Sequence, residues 1–416
     1  MGHNQLVLTD VSETYPTFLK VAGSQLKQAS KELEAPIIVT MGSKTSAIQL
    51  EKLVTEHKGI EIIDNYAEQY AELLLSMHAH LYRANYDVQV ASIADMLKAH
   101  YGRKQAWEMG SWVYFPWNNQ LIHLLQRDDF DNLRTIRNRD LITAEEQRIL
   151  LDLNVAAFGM SVGSAGALVM AMSGISRKIK LVDGAVISGS NLNRILTGVA
   201  SVGKSKSTVI GQQIYEMNPY AQIAAFEKVD KTNIAEILDK EWGVDLVVDE
   251  IDDIEMKVRI RYEARKRKIP VLMATELGDT VMLDVERFDQ EPDRPLLHNL
   301  VPKIEQLLKK PPENYREWTK HAVSIIDPVN MPIKMQKSLL KIGTTIVTHP
   351  QLGSTVMMTG GVLAFAAKAI ALGHNLKSGR YVIALEKELL ADHKTQQYRR
   401  EHKKHTKIIK QAISSM

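Results

Sequence analysis

Residues 154–194 constrain the fold more tightly than any other stretch. Asn154-Val155-Ala156-Ala157-Phe158 is a short apolar run, and Gly159-Met160-Ser161-Val162-Gly163-Ser164-Ala165-Gly166 comes directly after it. An apolar segment then reaches Gly174, and Lys180-Leu181-Val182-Asp183 makes a second run closed by an acid. Strand, glycine-rich turn, helix and acid-terminated strand form the nucleotide-holding half of a doubly wound α/β sheet. Gly159, Gly163 and Gly166 let backbone approach a phosphate, and the helix N-terminus attracts negative charge. Asp183, seventeen residues after Gly166, can accept hydrogen bonds from ribose hydroxyls. These features do not separate ATP from NAD.

The surrounding chain divides into three parts. Residues 1–127 read as a smaller mixed α/β module for recognition or dimerisation. It has a strand at 36–41, a helical period through Ile48 and Val54, a strand at 60–63, helices over 66–82 and 91–101, and a hairpin across Pro116-Trp117-Asn118-Asn119. Trp107, Trp112 and Trp117 are expected in its core, with a peptide-binding or dimer surface as the alternative. Residues 128–385 hold the nucleotide domain. A connector leads to a helix with capping-box spacing at Thr143 and Glu146, and strands and helices then alternate through Ala274, so the sheet should be mostly parallel. Residues 291–350 are proline-rich and read as an irregular excursion over the active face, before an apolar helix over 360–373. Residues 386–416 form a basic helical tail.

Composition removes several chemistries. The chain has no cysteine, which excludes disulfides, cysteine-bound zinc and a cysteine nucleophile and fits a reducing, cytoplasmic setting. No histidine pair has ligand spacing, so no zinc is expected. Gly2 to Gln5 do not read as a signal peptide. The uncharged stretches 153–176 and 342–367 are broken by glycines and polar residues, so they read as buried core rather than membrane spans. The net charge is +3, and residues 387–416 alone carry +5, leaving −2 for the rest. Two basic runs, Lys257 to Lys268 and Arg399 to His405, could track a polyanion. Solvated charge is the commoner fate of such runs, so nucleic acid is not the favoured partner.

Gly198 to Ser205 also satisfies the Walker A pattern, and Leu246-Val247-Val248-Asp249-Glu250 imitates a Walker B strand. A phosphate-binding loop needs a buried strand just before its first glycine. Residues 191–197 read as a polar-interrupted loop instead.

The residues beyond Asp183 separate the alternatives. Ser190-Asn191-Leu192-Asn193-Arg194, then Val202-Gly203-Lys204-Ser205-Lys206, Asn218-Pro219 and Asp249-Glu250-Ile251-Asp252 resemble the signature run of the ThiF/MoeB family, the adenylating relatives of ubiquitin-activating enzymes. The resemblance covers about residues 135–288 and resumes at 351–373. It implies a Rossmann-like adenylation domain. Gly159, Ser161, Gly163 and Ser164 would lie over ATP, with Asp183 on the ribose. Asn191 and Arg194 would contact phosphates, Lys206 would hold developing charge, and Asp252 would bind Mg²⁺. Arg139, in Arg137-Asn138-Arg139, is similar to an arginine that reaches into the neighbouring site of a homodimer. Ser161, Val162 and Ser164 stand where the family usually has glycine or other small residues, and Ala185 replaces a common second acid.

The implied reaction is activation of a carboxylate as its acyl adenylate with release of pyrophosphate. The substrate expected is the C-terminus of a small protein or peptide, with no thioester step. The alternatives are an ATP-dependent modifier of an RNA base, an NAD- or FAD-binding Rossmann protein, and a catalytically silent scaffold.

Overall fold

A computed structural model describes residues 32–326 and 328–415, so the expectation for Gly2 to Gln5 lies outside the described residues. The described residues begin with β1 (Ile37–Thr40), α1 (Lys44–Glu56), β2 (Glu61–Asp64), α2 (Tyr66–Met77), α3 (Tyr86–Tyr101), β3 (Ser111–Phe115) and β4 (Gln120–Leu124). Its four strands pair in the order β1-β3-β4-β2. The hairpin turn works because Asn119 adopts φ 53° and its side-chain amide donates to the Lys58 and Gly59 carbonyls. The helix expected over 66–82 ends at Met77, and a 3₁₀ turn over Ala79–Arg83 replaces its last part.

The three tryptophans have different fates. Trp112 is buried and stacks on His123 with centroids 4.3 Å apart. Trp107 is exposed. Trp117 donates to Glu216, outside the module, at 2.7 Å.

The second sheet is built from α4 (Arg127–Arg134), α5 (Ala144–Asp152), β5 (Asn154–Phe158), α6 (Gly163–Met172), β6 (Lys178–Val182), α7 (Lys206–Met217), β7 (Gln222–Phe226), α8 (Ile234–Asp239), β8 (Leu246–Asp249), α9 (Ile254–Lys266), β9 (Val271–Glu276) and β10 (Thr280–Glu286). It continues through α10 (Tyr315–Ile326), α11 (Ile333–Leu339), α12 (Gly353–Ala371), β11 (Gly379–Ala384), α13 (Leu385–Leu389) and α14 (Gln396–Ser415). Thr143 and Glu146 close the expected capping box at α5. Val113, Phe115 and Leu124 cluster with Tyr215 of α7, so the two sheets share an apolar boundary.

Strand order is β11-β10-β9-β8-β5-β6-β7, parallel from β9 to β7 and antiparallel at β10 and β11. After β7 the chain crosses to the far side of β5, so the carboxyl ends of adjacent β5 and β8 open a crevice at the switch point. The sequence reading missed β10 and β11. Asp284 and Glu286 interrupt the apolar pattern of β10, yet both are buried, paired with Arg380 and Arg261.

The 291–350 segment is not irregular throughout. It carries α10, α11 and three 3₁₀ turns, Leu296–Asn299, Ile304–Leu308 and Pro328–Asn330. These pieces are short and bounded by prolines, so no sustained period is visible in the sequence. Leu296, Leu297, Ile304, Leu307 and Ile325 join the core that contains Val258 and Ile260 of α9.

By length and composition α12 could cross a membrane, but half of its apolar window is buried within this fold. It lies against α6 so closely that a Cβ at Gly360 would meet the Ala165 carbonyl at 2.7 Å. Helix propensity alone makes Gly360→Ala stabilising by about 1 kcal/mol. The close approach reverses the sign, and a loss of about 1–3 kcal/mol is expected in urea denaturation.

The expected tail helix is interrupted: α13 is short, a 3₁₀ turn over Ala391–Lys394 comes next, and α14 packs on α11. Apart from exposed Lys268, the basic run on and just after α9 is drawn into ion pairs within the fold rather than forming a polyanion track. Lys257 and Arg261 are buried against Asp249, Arg259 pairs with Glu255, and Arg265 with Glu305. Lys266 pairs with Glu263, and Arg267 with Asp239 and Glu263.

Candidate nucleotide site

The crevice at the switch point is lined by the loops after β5, β6 and β8. Gly159 comes just after β5 with φ 88°, and a Cβ there would meet the Glu250 carbonyl at 2.5 Å, so only glycine lets the β5 and β8 loops come this close. No side chain caps the N-terminus of α6, which leaves its first N–H groups to an incoming anion. The Ser164 hydroxyl is buried and donates to the Ser161 carbonyl at 2.7 Å, so it serves the turn rather than the crevice.

Asp183 organises the mouth. One carboxylate oxygen accepts from Met160 N–H and the other from Ala185 N–H, both at 2.7 Å, and Lys206 Nζ stands 3.8 Å away. Each oxygen has a second lone pair to offer a ribose hydroxyl. The same ion pair brings Lys206 to the site, whereas no such contact places Lys204 there among the described residues.

The phosphate-side candidates come from the 3₁₀ turn Gly189–Asn193. Buried Asn191 accepts the Ser188 N–H through its side-chain oxygen, so it has its NH₂ group to offer a phosphate. Arg194 donates to Ser161 Oγ at 3.2 Å, and to the Ser190 carbonyl and Asn193 Oδ1 at 2.9 Å. All three partners are neutral, so the guanidinium is oriented without an ion pair among the described residues. Burial lowers its pKa, and nearby Glu276 and Asp252 oppose the shift.

Asp252 is exposed at this end of the sheet and acts electrostatically on Arg194, Glu276 and His349. No cluster of three or more His, Asp or Glu suited to a metal occurs among the described residues. A single exposed carboxylate still fits Mg²⁺, which takes few protein ligands and fills its shell from phosphates and water. Arg139 is exposed and donates to the Ser76 carbonyl at 3.4 Å. It hydrogen-bonds none of the other candidates.

Three residues escaped the sequence reading. Glu276 closes β9 and is buried; Gln351 donates to one of its oxygens, while the other has no hydrogen-bond partner among the described residues. Burial, reinforced by Asp252, pushes its carboxyl up to about 7 despite Gln351 and Arg194. The Gln351 carbonyl in turn accepts from Asn193 at 2.9 Å, tying the segment before α12 to the Arg194 turn. Glu250 accepts the Ala274 N–H at 2.6 Å, and burial raises its pKa well above the usual range. An acid at the end of each of β6, β8 and β9 was the available signal. The Walker A alternative fails, since a 3₁₀ turn and a loop, not a strand, precede Gly198.

Fold and crevice together define a nucleotide-binding domain of the doubly wound α/β class. More narrowly, the chain belongs to the ThiF family, whose model matches residues 134–407. It is 35% identical over 274 residues to an uncharacterized protein of Mycobacterium tuberculosis, covering 66% of this chain and 38% of that one. It is 32% identical over 154 residues to the tRNA threonylcarbamoyladenosine dehydratase of Bacillus subtilis, covering 36% of this chain and 59% of that one. The chain therefore spans about two-fifths and three-fifths of the length of these two relatives. Among solved structures, the E. coli tRNA N6-threonylcarbamoyladenosine dehydratase matches with TM-score 0.41 and 17% identity, over 58% of this chain and 95% of that one.

Proposed function

We propose that this chain is an ATP-dependent adenylyltransferase that activates a carboxylate as its acyl adenylate. The observation that carries the reading is Arg194, a cation oriented by neutral partners and without an ion pair among the described residues, beside an acid-lined crevice, in a chain of the ThiF family. A carboxylate approaching a triphosphate meets like charge, so the barrier falls only where fixed cations surround the reacting phosphorus. In the proposed step a carboxylate oxygen bonds to the α-phosphorus of ATP, the bond to the β-phosphate oxygen breaks, and pyrophosphate leaves. Asp183 would hold the ribose, Asn191 and Arg194 the phosphates, and Lys206 the charge that develops. Bound at Asp252, Mg²⁺ would neutralise phosphate charge. With no cysteine in the chain, the adenylate would pass directly to an acceptor. Carboxylate-dependent exchange of labelled pyrophosphate into ATP tests the reading; no exchange with any peptide, small-protein or RNA-borne carboxylate counts against it.

The carboxylate proposed first is the C-terminus of a small protein or peptide. A second reading places it on an RNA nucleoside. The relative from Bacillus subtilis bears a tRNA-modifying name, and the basic face of α14, without ion pairs among the described residues, favours that reading.

The proposed assembly is a homodimer in which Arg139 serves the partner's site. Its exposure and its lack of a carboxylate partner among the described residues are consistent with that role. Mixing inactive Arg139→Ala with inactive Asp252→Ala protein should restore about a quarter of wild-type exchange, since random pairing leaves one intact site in half of the dimers. No recovery on mixing counts against a site shared in trans.

A further inference from the structure

The two basic runs have opposite fates. The first, except for Lys268, is consumed by ion pairs around α9. On α14, by contrast, Arg399, Arg400, Lys403, Lys404, Lys407 and Lys410 are all exposed, and the described residues include no ion pair to any of them. At about 100° per residue these six fall within an arc of about 140° around the helix. No acid lies inside that arc. The helix's acid, Glu401, sits beyond its edge, where Lys337 and His405 engage it at 3.4 and 3.7 Å.

The opposite side of α14 is fixed to the body. Ile409 is buried, Thr406 Oγ1 accepts from Gln336 at 2.9 Å, and His402 Nε2 donates to the Met331 carbonyl at 2.8 Å. The helix thus holds its cations on a rod, and Arg399 and Lys410 are about 16 Å apart along it at about 1.5 Å per residue. Pro332, at the start of α11, packs near Gly278, two residues past Glu276. The layer that carries the basic face therefore adjoins the rim of the nucleotide site.

We infer that the outer face of α14 docks the phosphodiester backbone of a nucleic acid. Cations recurring every three or four residues along a fixed helix match a polymer with one charge per nucleotide. A membrane surface fits poorly, because an interfacial helix needs an apolar face for the lipid, and the apolar side of α14 is directed to α11. The inference deepens the RNA reading by giving the substrate a place to sit. As a binding claim it also stands without that reading, because it is measured in the absence of ATP.

The test is fluorescence anisotropy of the full chain with a labelled single-stranded RNA 20-mer, and with DNA of the same sequence, across a salt series. Wild-type protein should bind, with affinity falling steeply as salt rises. Lys403→Ala/Lys407→Ala/Lys410→Ala should weaken binding about tenfold or more and reduce the log-log salt slope by about 2, at about 0.7 per lost contact. Lys44→Ala/Lys52→Ala/Lys58→Ala, exposed lysines of the N-terminal module, should change little. Tighter RNA than DNA binding supports an RNA ligand, and equal binding supports recognition of the backbone alone. Unchanged affinity in the α14 variant, an equal loss in the control variant, or preference for phosphatidylserine vesicles over both nucleic acids overturns the inference. Pyrophosphate exchange on the same preparations is a separate readout, so loss of the adenylation reading leaves the binding result interpretable.

Discussion

Arg194→Ala is expected to lower carboxylate-dependent pyrophosphate exchange by about 10²–10³-fold, the cost of removing one preorganised group that stabilises transition-state charge. The case rests on what Arg194 touches. Ser161, the Ser190 carbonyl and Asn193 fix the guanidinium without neutralising it. A fixed charge with neutral partners is poised for an anion, whereas a cation paired to a carboxylate must first exchange that partner. Folding should be little affected, since the residue anchors no ion pair among the described residues and borders the crevice rather than the apolar core. Asp252→Ala should give a comparable loss, and added Mg²⁺ should partly restore its rate but not that of Arg194→Ala. Equal melting temperatures for the three proteins are needed for the comparison. Normal exchange in both variants would remove these two residues from the site.

The part of the fold legible in the sequence is the part where one periodicity describes one environment. Strands β5, β8 and β9 are largely apolar runs buried on both faces, and each precedes a helix or a turn, so their succession is readable from the chain alone. Asp183 and Arg194 were visible for a related reason: each ends a strand or motif at fixed spacing. Glu276 and Gln351 were not, because they lie 75 positions apart and only the packing of α12 against β9 brings them together. The basic runs were indistinguishable for the same reason. Whether a lysine is paired depends on acids supplied by other elements, as Asp249 and Glu286 are for Arg261 and Glu305 is for Arg265.

Arg261→Ala should destabilise the fold by about 3–5 kcal/mol, the usual cost of breaking a buried ion pair from one side. Arg261 has no exposure and joins Asp249 at the end of β8 to Glu286 at the end of β10, while Lys257 adds a second cation 3.0 Å from Asp249. Met273 sulfur and the Lys257 carbonyl take further donors of the guanidinium. Truncation leaves Asp249 with Lys257 alone and buried Glu286 without its cation, with a void where the side chain lay. The pH dependence identifies the cause. Burial pushes the Asp249 carboxyl up, but Lys257 and Arg261 together hold it below the ordinary carboxylate range. A depressed acid contributes stability that is fully present above its unfolded pKa and lost as pH falls through its folded value. Removing Arg261 weakens the force that depresses it, so the deficit against wild type should be largest near pH 7 and narrow as pH falls below about 4, toward about 3. Urea denaturation at both pH values measures this. A deficit independent of pH would assign the loss to packing instead of charge. Replacing Asp249, Lys257, Arg261 and Glu286 together by apolar residues should then recover much of the stability, because none of the charges of this cluster is left buried without its partner.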